Sequence, residues 1–166
     1  MPFTPFHFGP GALVKSVAPK KFNLSTFVVS QVFIDIETLK NMMAGKAVLH
    51  TFFHTYLGST VACAIVTVGM VIFYRIRNRF HTLPKPHSPT TYAILISALI
   101  GCWSHVFLDS IMHSDLEPWW PFSYSNSMLG LVSVKTLHLS CFLSGVVGGA
   151  FLLIEKTDLL KNHSDD

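Results

Sequence analysis

The chain has 166 residues, 50% of them hydrophobic and only 13% charged, with a formal net charge of +3 and a mean hydropathy of +0.46. Soluble domains carry about a quarter charged residues, so this composition excludes an ordinary soluble domain. It predicts a single integral membrane domain over residues 1–160 with a polar tail at 161–166, and the positive charge reads as membrane topology rather than nucleic-acid binding.

The first residues, MPFTPFHFGPG, lack a basic stretch followed by an apolar one. No cleaved signal is therefore expected, and the N-terminus with His7 is retained. Gly11 to Ala18 and Leu24 to Ile36 are apolar but too short for ordinary spans. They predict a re-entrant or half-inserted hairpin of short helices turning at Pro19-Lys20-Lys21. Asp35 and Glu37 fall at the end of its second helix or in the loop beyond. Three longer runs follow: Thr55 to Tyr74, Tyr92 to Met112, and Leu129 to Ile154, the last interrupted by Lys135 and His138. Each approaches the ~20 residues that cross roughly 30 Å of hydrocarbon as a helix. Strand-like alternation is missing, so the fold class is all-α: a polytopic membrane bundle of about three full spans plus the N-terminal hairpin. No internal repeat is visible, and the proline-bearing stretch His81 to Pro89 reads as a linker. Cys63, Cys102 and Cys141 sit one in each long run; an odd number without a CxxC pair excludes a disulfide framework or a cysteine-zinc site.

Lysine and arginine set the orientation. Arg75, Arg77, Arg79 and Lys85 lie between the first two spans. Lys156 and Lys161 follow the third, and Lys20 and Lys21 join the same side if the hairpin dips in and returns. That side is cytoplasmic by the positive-inside rule. The opposite face receives His7, Asp35, Glu37, His50, His54, Asp109, His113, Asp115 and Glu117, with His105 about one turn deeper.

In the second span His105, Asp109 and His113 recur at four-residue steps and fall on one helical stripe. An ionisable residue inside a span costs about 2.5–3.5 kcal/mol on insertion scales. Three on one face need a common partner, either a divalent cation or a polar seam of hydrogen bonds. Imidazole nitrogen and carboxylate oxygen are ligands that zinc uses in catalytic sites. His50 and His54 add two imidazoles one turn apart at the start of the first span; Asp35, Glu37 and His7 complete the set. So many ligand-type side chains at one face of a charge-poor chain point to metal binding. His138 is either a further ligand or a hydrogen-bonding buried histidine. Lys135, three residues earlier, snorkels to the interface. Trp119, Trp120 and Phe122 read as an interfacial aromatic belt, and Gly145, Gly148 and Gly149 as close helix packing. His81, His87 and His163 belong to the basic loop and the tail. No motif frames Ser104, Ser110 or Ser123 as a nucleophile, and no glycine loop cradles a phosphate.

The segments PFTPFHFGPG, FIDIET, LHTFFHTYLGS, SHVFLDSIMHSDLEPWWPFS and NSMLGLVSVKTLHL, from about Pro2 to Leu139, resemble the YdjM-like family. Its members are small proteins described as membrane-bound metal-dependent hydrolases. Two positions depart from the pattern: Ile34 where a proline is expected before Asp35, and Lys135 where a small or apolar residue is expected. A looser resemblance, to the zinc-dependent phospholipase C and single-strand nuclease group, runs through His7, Asp35, His50, His105, Asp109 and His113. Those enzymes are all-helical and cleave phosphoesters at zinc clusters, in which a bridging aspartate is typical; Asp109 or Asp35 is placed for that.

The resemblances imply one or two divalent ions, zinc by chemistry, on His7, Asp35, His50, His54, His105, Asp109 and His113. They favour Asp35 as a ligand and leave Glu37 as the general base that orients a metal-activated water. They further imply a lipid or other membrane-associated substrate, no nucleic-acid partner, and a bacterial or archaeal cytoplasmic (inner) membrane with the site on its non-cytoplasmic side. The expectation is a metal-dependent hydrolase, with a lipid phosphoester as one substrate class. A non-catalytic protein stapled by metal is the alternative. A metal transporter is disfavoured because the cytoplasmic halves of the spans are almost purely apolar.

Overall fold

The computed structural model describes residues 5–80 and 88–162. His81, His87, His163 and most of the proline-bearing linker lie outside them. A 3-10 turn, Pro5–Phe8, leads into α1 (Gly9–Val17) and α2 (Leu24–Met43). A second 3-10 turn, Phe52–His54, precedes α3 (Tyr56–Phe80), and α4 (Thr91–Met112) and α5 (Val134–Asn162) complete the chain. The described residues form five helices and no strand. Three helices are long and apolar enough to cross a membrane: α3, α4 and α5 from Val134 to Thr157.

The N-terminal hairpin turns where the sequence places it, between Val17 and Leu24. Its turn wraps a charge: Lys15 Nζ donates to the carbonyls of Pro19 and, at 2.9 Å, of Phe22. Asn23 then caps α2 by accepting from the Thr26 amide at 2.8 Å, the usual service of an N-cap side chain. Asn23 also anchors the turn, because its amide donates to Ser97 Oγ at 2.7 Å and Tyr74 Oη donates to its side chain at 3.3 Å.

The second arm of the hairpin differs from expectation. It does not stop near Ile36 but runs 20 residues to Met43. The apolar run ends at Asp35, yet the helix continues because Asp35, Thr38 and Asn41 lie on its buried face and find partners there. Asn41 donates to the Leu49 carbonyl and to Thr51 Oγ1. The stop comes at Gly45, whose φ of 64° closes the helix. The Gly45 amide bonds to Met42 O and the Lys46 amide to Asn41 O, the paired ending that a left-handed glycine permits.

α2, α3 and α4 share the core. α2 runs parallel to α4, and Gly101 lets the two approach: a Cβ there would stand 1.9 Å from Ser30 Oγ. Ile34, Cys63, Val66, Met70, Ile94 and Cys102 fill the interior, so two cysteines are apolar core residues as read from the sequence, and Cys141 is buried in a second cluster. α4 is the central span, with 61% of its apolar window buried against 17% for α5. α5 starts later than the apolar run suggests, because Gly130 adopts φ 72° and its amide bonds back to Ile111 O, making residues 128–133 a turn. α5 packs mainly on α1, where a Cβ on Gly148 would lie 2.3 Å from the Leu13 amide and one on Gly145 would lie 3.1 Å from Gly9 Cα. Gly149 has open space around it, so the close-packing role belongs to Gly145 and Gly148 alone.

Candidate metal centre

Four chain segments meet at one end of the bundle, each delivering side chains of ligand type. α4 gives His105 and Asp109 from the stripe expected of its four-residue spacing, both buried. His113 is not on the helix but caps its end, with its amide bonded to Asp109 O. α2 brings Asp35, placed within the helix rather than in a loop. The 3-10 turn before α1 brings His7.

His50 and His54 come from the stretch that enters α3, not from α3 itself. Thr55 is the reason: its hydroxyl accepts from the Gly58 amide at 2.9 Å and starts the helix at Tyr56. Gly58 lets that turn fold back, since a Cβ there would sit 1.8 Å from Phe52 O. The two imidazoles still face one another, with ring centroids 4.8 Å apart.

Asp109 is the hub. Its Oδ2 lies 3.2 Å from His105 Nε2 and 3.5 Å from His54 Nε2. Asp35 Oδ1 lies 3.3 Å from His105 Nε2 and 3.9 Å from His54 Nε2. The other oxygen, Oδ1, faces a different set: His7 Nε2 at 3.5 Å and His113 Nε2 at 4.0 Å. His50 joins this side, for ligand atoms of His50, Asp109 and His113 all lie within 4.8 Å of one another. The centre therefore has two lobes joined through one carboxylate. Asp35, His54, His105 and Asp109 are all buried and can hold a metal ion.

The first lobe fits such an ion on geometry. Ligand atoms at about 2.0–2.2 Å from a tetrahedral zinc stand about 3.3–3.6 Å apart. Three of the four histidine–carboxylate separations in that lobe lie within a tenth of an ångström of this range, and His54 to Asp35 is somewhat longer. Buried polar atoms left without hydrogen bonds point the same way: His105 Nε2, both nitrogens of His7, and Asp109 Oδ1. Buried polar groups are normally satisfied; here His105 Nε2, His7 Nε2 and Asp109 Oδ1 face one another at the centre.

Outer partners set the ring orientations. His105 Nδ1 lies 2.6 Å from Gln31 Oε1; an acceptor there puts the proton on Nδ1 and frees Nε2. Gln31 is itself held by its amide donating to Ser104 Oγ at 3.3 Å. His50 Nδ1 lies 3.0 Å from Asp115, whose Oδ2 also accepts the backbone amides of Leu49 and His50. Burial works against the Asp115 charge, but His50 and these amides hold its carboxyl below the ordinary value. Burial also pushes the His7 imidazole down to about 4, against the pull of Asp109, which keeps it in the neutral form that metals bind.

All seven residues expected as ligands are thus brought together. Glu37, expected as the general base, stands behind His54 rather than among the ligand atoms. Its Oε2 accepts the Phe53 amide at 2.7 Å and lies 3.8 Å from His54 Nδ1, the ring edge turned away from Asp109. His138 stacks on Phe6, with centroids 4.7 Å apart, and stands outside both lobes. Gln31 and Asp115 were not singled out from the sequence; a neutral amide carries no ligand signal, and Asp115 was visible only as one acid among several on that face.

Beside the second lobe opens a pocket of about 570 Å³, with His50, Asp115, Phe52 and Trp120 in its wall. The first lobe is sealed, whereas the His113 side chain keeps 25% of its surface exposed. A family model described as YdjM inner membrane protein matches residues 6–161. No curated protein and no solved structure matches the chain.

Proposed function

The chain belongs to the YdjM inner membrane protein family, and from that membership and the two-lobed centre we propose a membrane-embedded, metal-dependent hydrolase of lipid-borne esters, phosphoesters foremost. The observation that carries the reading is the asymmetry around Asp109. One lobe offers four buried protein ligands; the other has His50 and His113 beside the shared carboxylate and adjoins a pocket, and His7 approaches that carboxylate at 3.5 Å. Closed sites are typical of structural zinc, and sites with a vacant position of catalytic zinc. Nitrogen and oxygen ligands suit zinc among common divalent ions. Asp35, His54, His105 and Asp109, with His50 and His113, would hold such ions, which would contribute Lewis acidity and lower the pKa of bound water.

The chain's own groups do the rest. Gln31 and Asp115 fix which nitrogen of His105 and of His50 is free. Glu37 stands behind His54 and is best read as the group that orients it, in place of the base expected from the sequence. Trp119 and Phe122, in the same loop as the pocket residue Trp120, are both exposed, which favours a substrate at the membrane interface. Below His105 the interior between α3 and α4 is packed with Ala62, Val66, Met70, Ile94 and Ala98 and holds no buried acid or histidine among the described residues, which speaks against a metal-transport path.

Turnover should be measured on metal-loaded protein in uncharged detergent with phosphoester, carboxylic ester and amide lipids. Release of product from one class, abolished by chelator and restored by zinc, is the expected result. Absence of turnover across all three makes the metal a staple that joins the 3-10 turn, α2, the 50–54 stretch and α4.

We also place the centre on the non-cytoplasmic side of a bacterial or archaeal cytoplasmic membrane, on the strength of the basic residues at the far ends of α3 and α5. In intact cells a membrane-impermeant thiol reagent should label a cysteine placed at position 119 and spare one at position 80. The reverse pattern would invert the orientation.

A further inference from the structure

The pocket beside the second lobe has an unusual balance of groups for a site that takes phosphoesters. Among the described residues its wall contains two carboxylates, Asp115 and Glu117, and the rings of Phe52, Trp120 and Tyr124, and no lysine or arginine. The phosphoryl charge therefore finds counter-charge only at the His/Asp centre, and the pocket itself repels a second anion.

Most neutral polar side chains of the wall are already engaged. Asn126 donates to the carbonyls of Ser110 and His113 and accepts the Met128 amide. Thr51 accepts from Asn41, and Thr55 bonds to Phe52 O and the Gly58 amide. The hydroxyls of Ser114 and Tyr124 and the Trp120 indole N–H are what remains for a neutral polar ligand. Asp115 is tied to His50. Glu117 is different: it is exposed, and its side chain has no hydrogen bond or ion pair among the described residues. The rings of Phe52 and Trp120 meet nearly edge to face, with centroids 6.3 Å apart and an interplanar angle of 83°, and both line the cavity. A free carboxylate beside aromatic faces attracts a cation and gives an anion nothing.

Resting on the hydrolase reading above, we propose that this pocket receives an ammonium group, primary or quaternary, on the part of the substrate distal to the bond that is cleaved. The ammonium sits against Trp120 and Phe52 with Glu117 as its counter-ion. The ester then lies toward His50 and His113.

The test is binding, which needs no turnover. Metal-loaded full-length protein in maltoside detergent is titrated with choline and with 3,3-dimethyl-1-butanol, an uncharged molecule of the same shape, by saturation-transfer NMR. Choline should bind about tenfold tighter, the order expected of a desolvated cation–π contact with a carboxylate nearby. Glu117→Gln and Trp120→Leu should each erase most of that preference while metal content stays at the wild-type level, which shows that the fold survives. Equal binding of the two molecules, or glycerol phosphate binding as tightly as choline, overturns the assignment.

Dihexanoyl phosphatidylcholine set against dihexanoyl phosphatidylglycerol then identifies the source of the ammonium. A gain over free choline for the first lipid alone assigns a lipid headgroup; no gain assigns a soluble amine. Choline discrimination without any hydrolysis would defeat the hydrolase reading and leave the pocket assignment standing. Hydrolysis of anionic and ammonium esters at equal rates, without choline discrimination, would do the opposite.

Discussion

Asp109→Ala should empty both lobes at once, because each of its two oxygens faces a different set of histidines. Removing the carboxylate leaves the first lobe with one anion, Asp35, and the second with none. It also leaves His7, His54 and His105 buried around a hole, each without the carboxylate its Nε2 faces. Breaking a buried charged network of this kind costs about 3–5 kcal/mol. Loss of bound metal adds to that, since binding energy at such a site is folding energy. At about 2–4 °C per kcal/mol for a chain of this size, a fall in Tm of about 10 °C or more is expected. Metal content by mass spectrometry and a melt in detergent report both effects. An Asp109→Ala protein that keeps its metal would remove Asp109 from the centre.

Glu37→Gln is expected to lower turnover by about 10- to 100-fold and to weaken metal retention, the range seen when the outer partner of a ligating histidine is lost. The amide still accepts the Phe53 N–H through its carbonyl, so the local fold is kept, and what disappears is the negative charge 3.8 Å from His54 Nδ1. The pH profile separates the two roles open to Glu37. A positioning residue leaves the acid limb of the profile in place while the whole curve drops. A proton acceptor in contact with the reacting water loses that limb, with a fall of about 10²–10⁴-fold and metal content unchanged. Distance favours the first outcome, since the His54 ring stands between Glu37 and the cluster.

Much of the centre could be read from spacing and topology, because both are local properties. The steps His105, Asp109 and His113 mark one helical stripe without any tertiary knowledge, and three apolar runs sort His7, Asp35, His50 and His54 to the same end. What was not legible depends on contacts between distant segments. α2 continues past its apolar run because Asn41 finds Leu49 and Thr51, partners that no hydropathy window sees. His50 and His54 leave the helix because Thr55 caps α3 one residue after them. Gln31 meets His105 across 74 residues, and its neutral amide gives no hint of the role. For Glu37, the resemblance favours Asp35 as the ligand and leaves Glu37 as the base; two residues along a helix turn a side chain by about 200°, and its carboxylate lies behind His54.

The central claim is a two-lobed metal centre joined through Asp109, and its most direct test is the metal itself. Wild-type protein purified without chelator and supplied with zinc should bind two divalent ions per chain by mass spectrometry. Its X-ray absorption spectrum should show only nitrogen and oxygen neighbours at about 2.0–2.2 Å. His50→Ala, which touches one lobe only, should release one ion and keep the other. A folded wild-type protein that takes up no metal, or one whose metal has sulfur neighbours from Cys63, Cys102 or Cys141, would contradict the account.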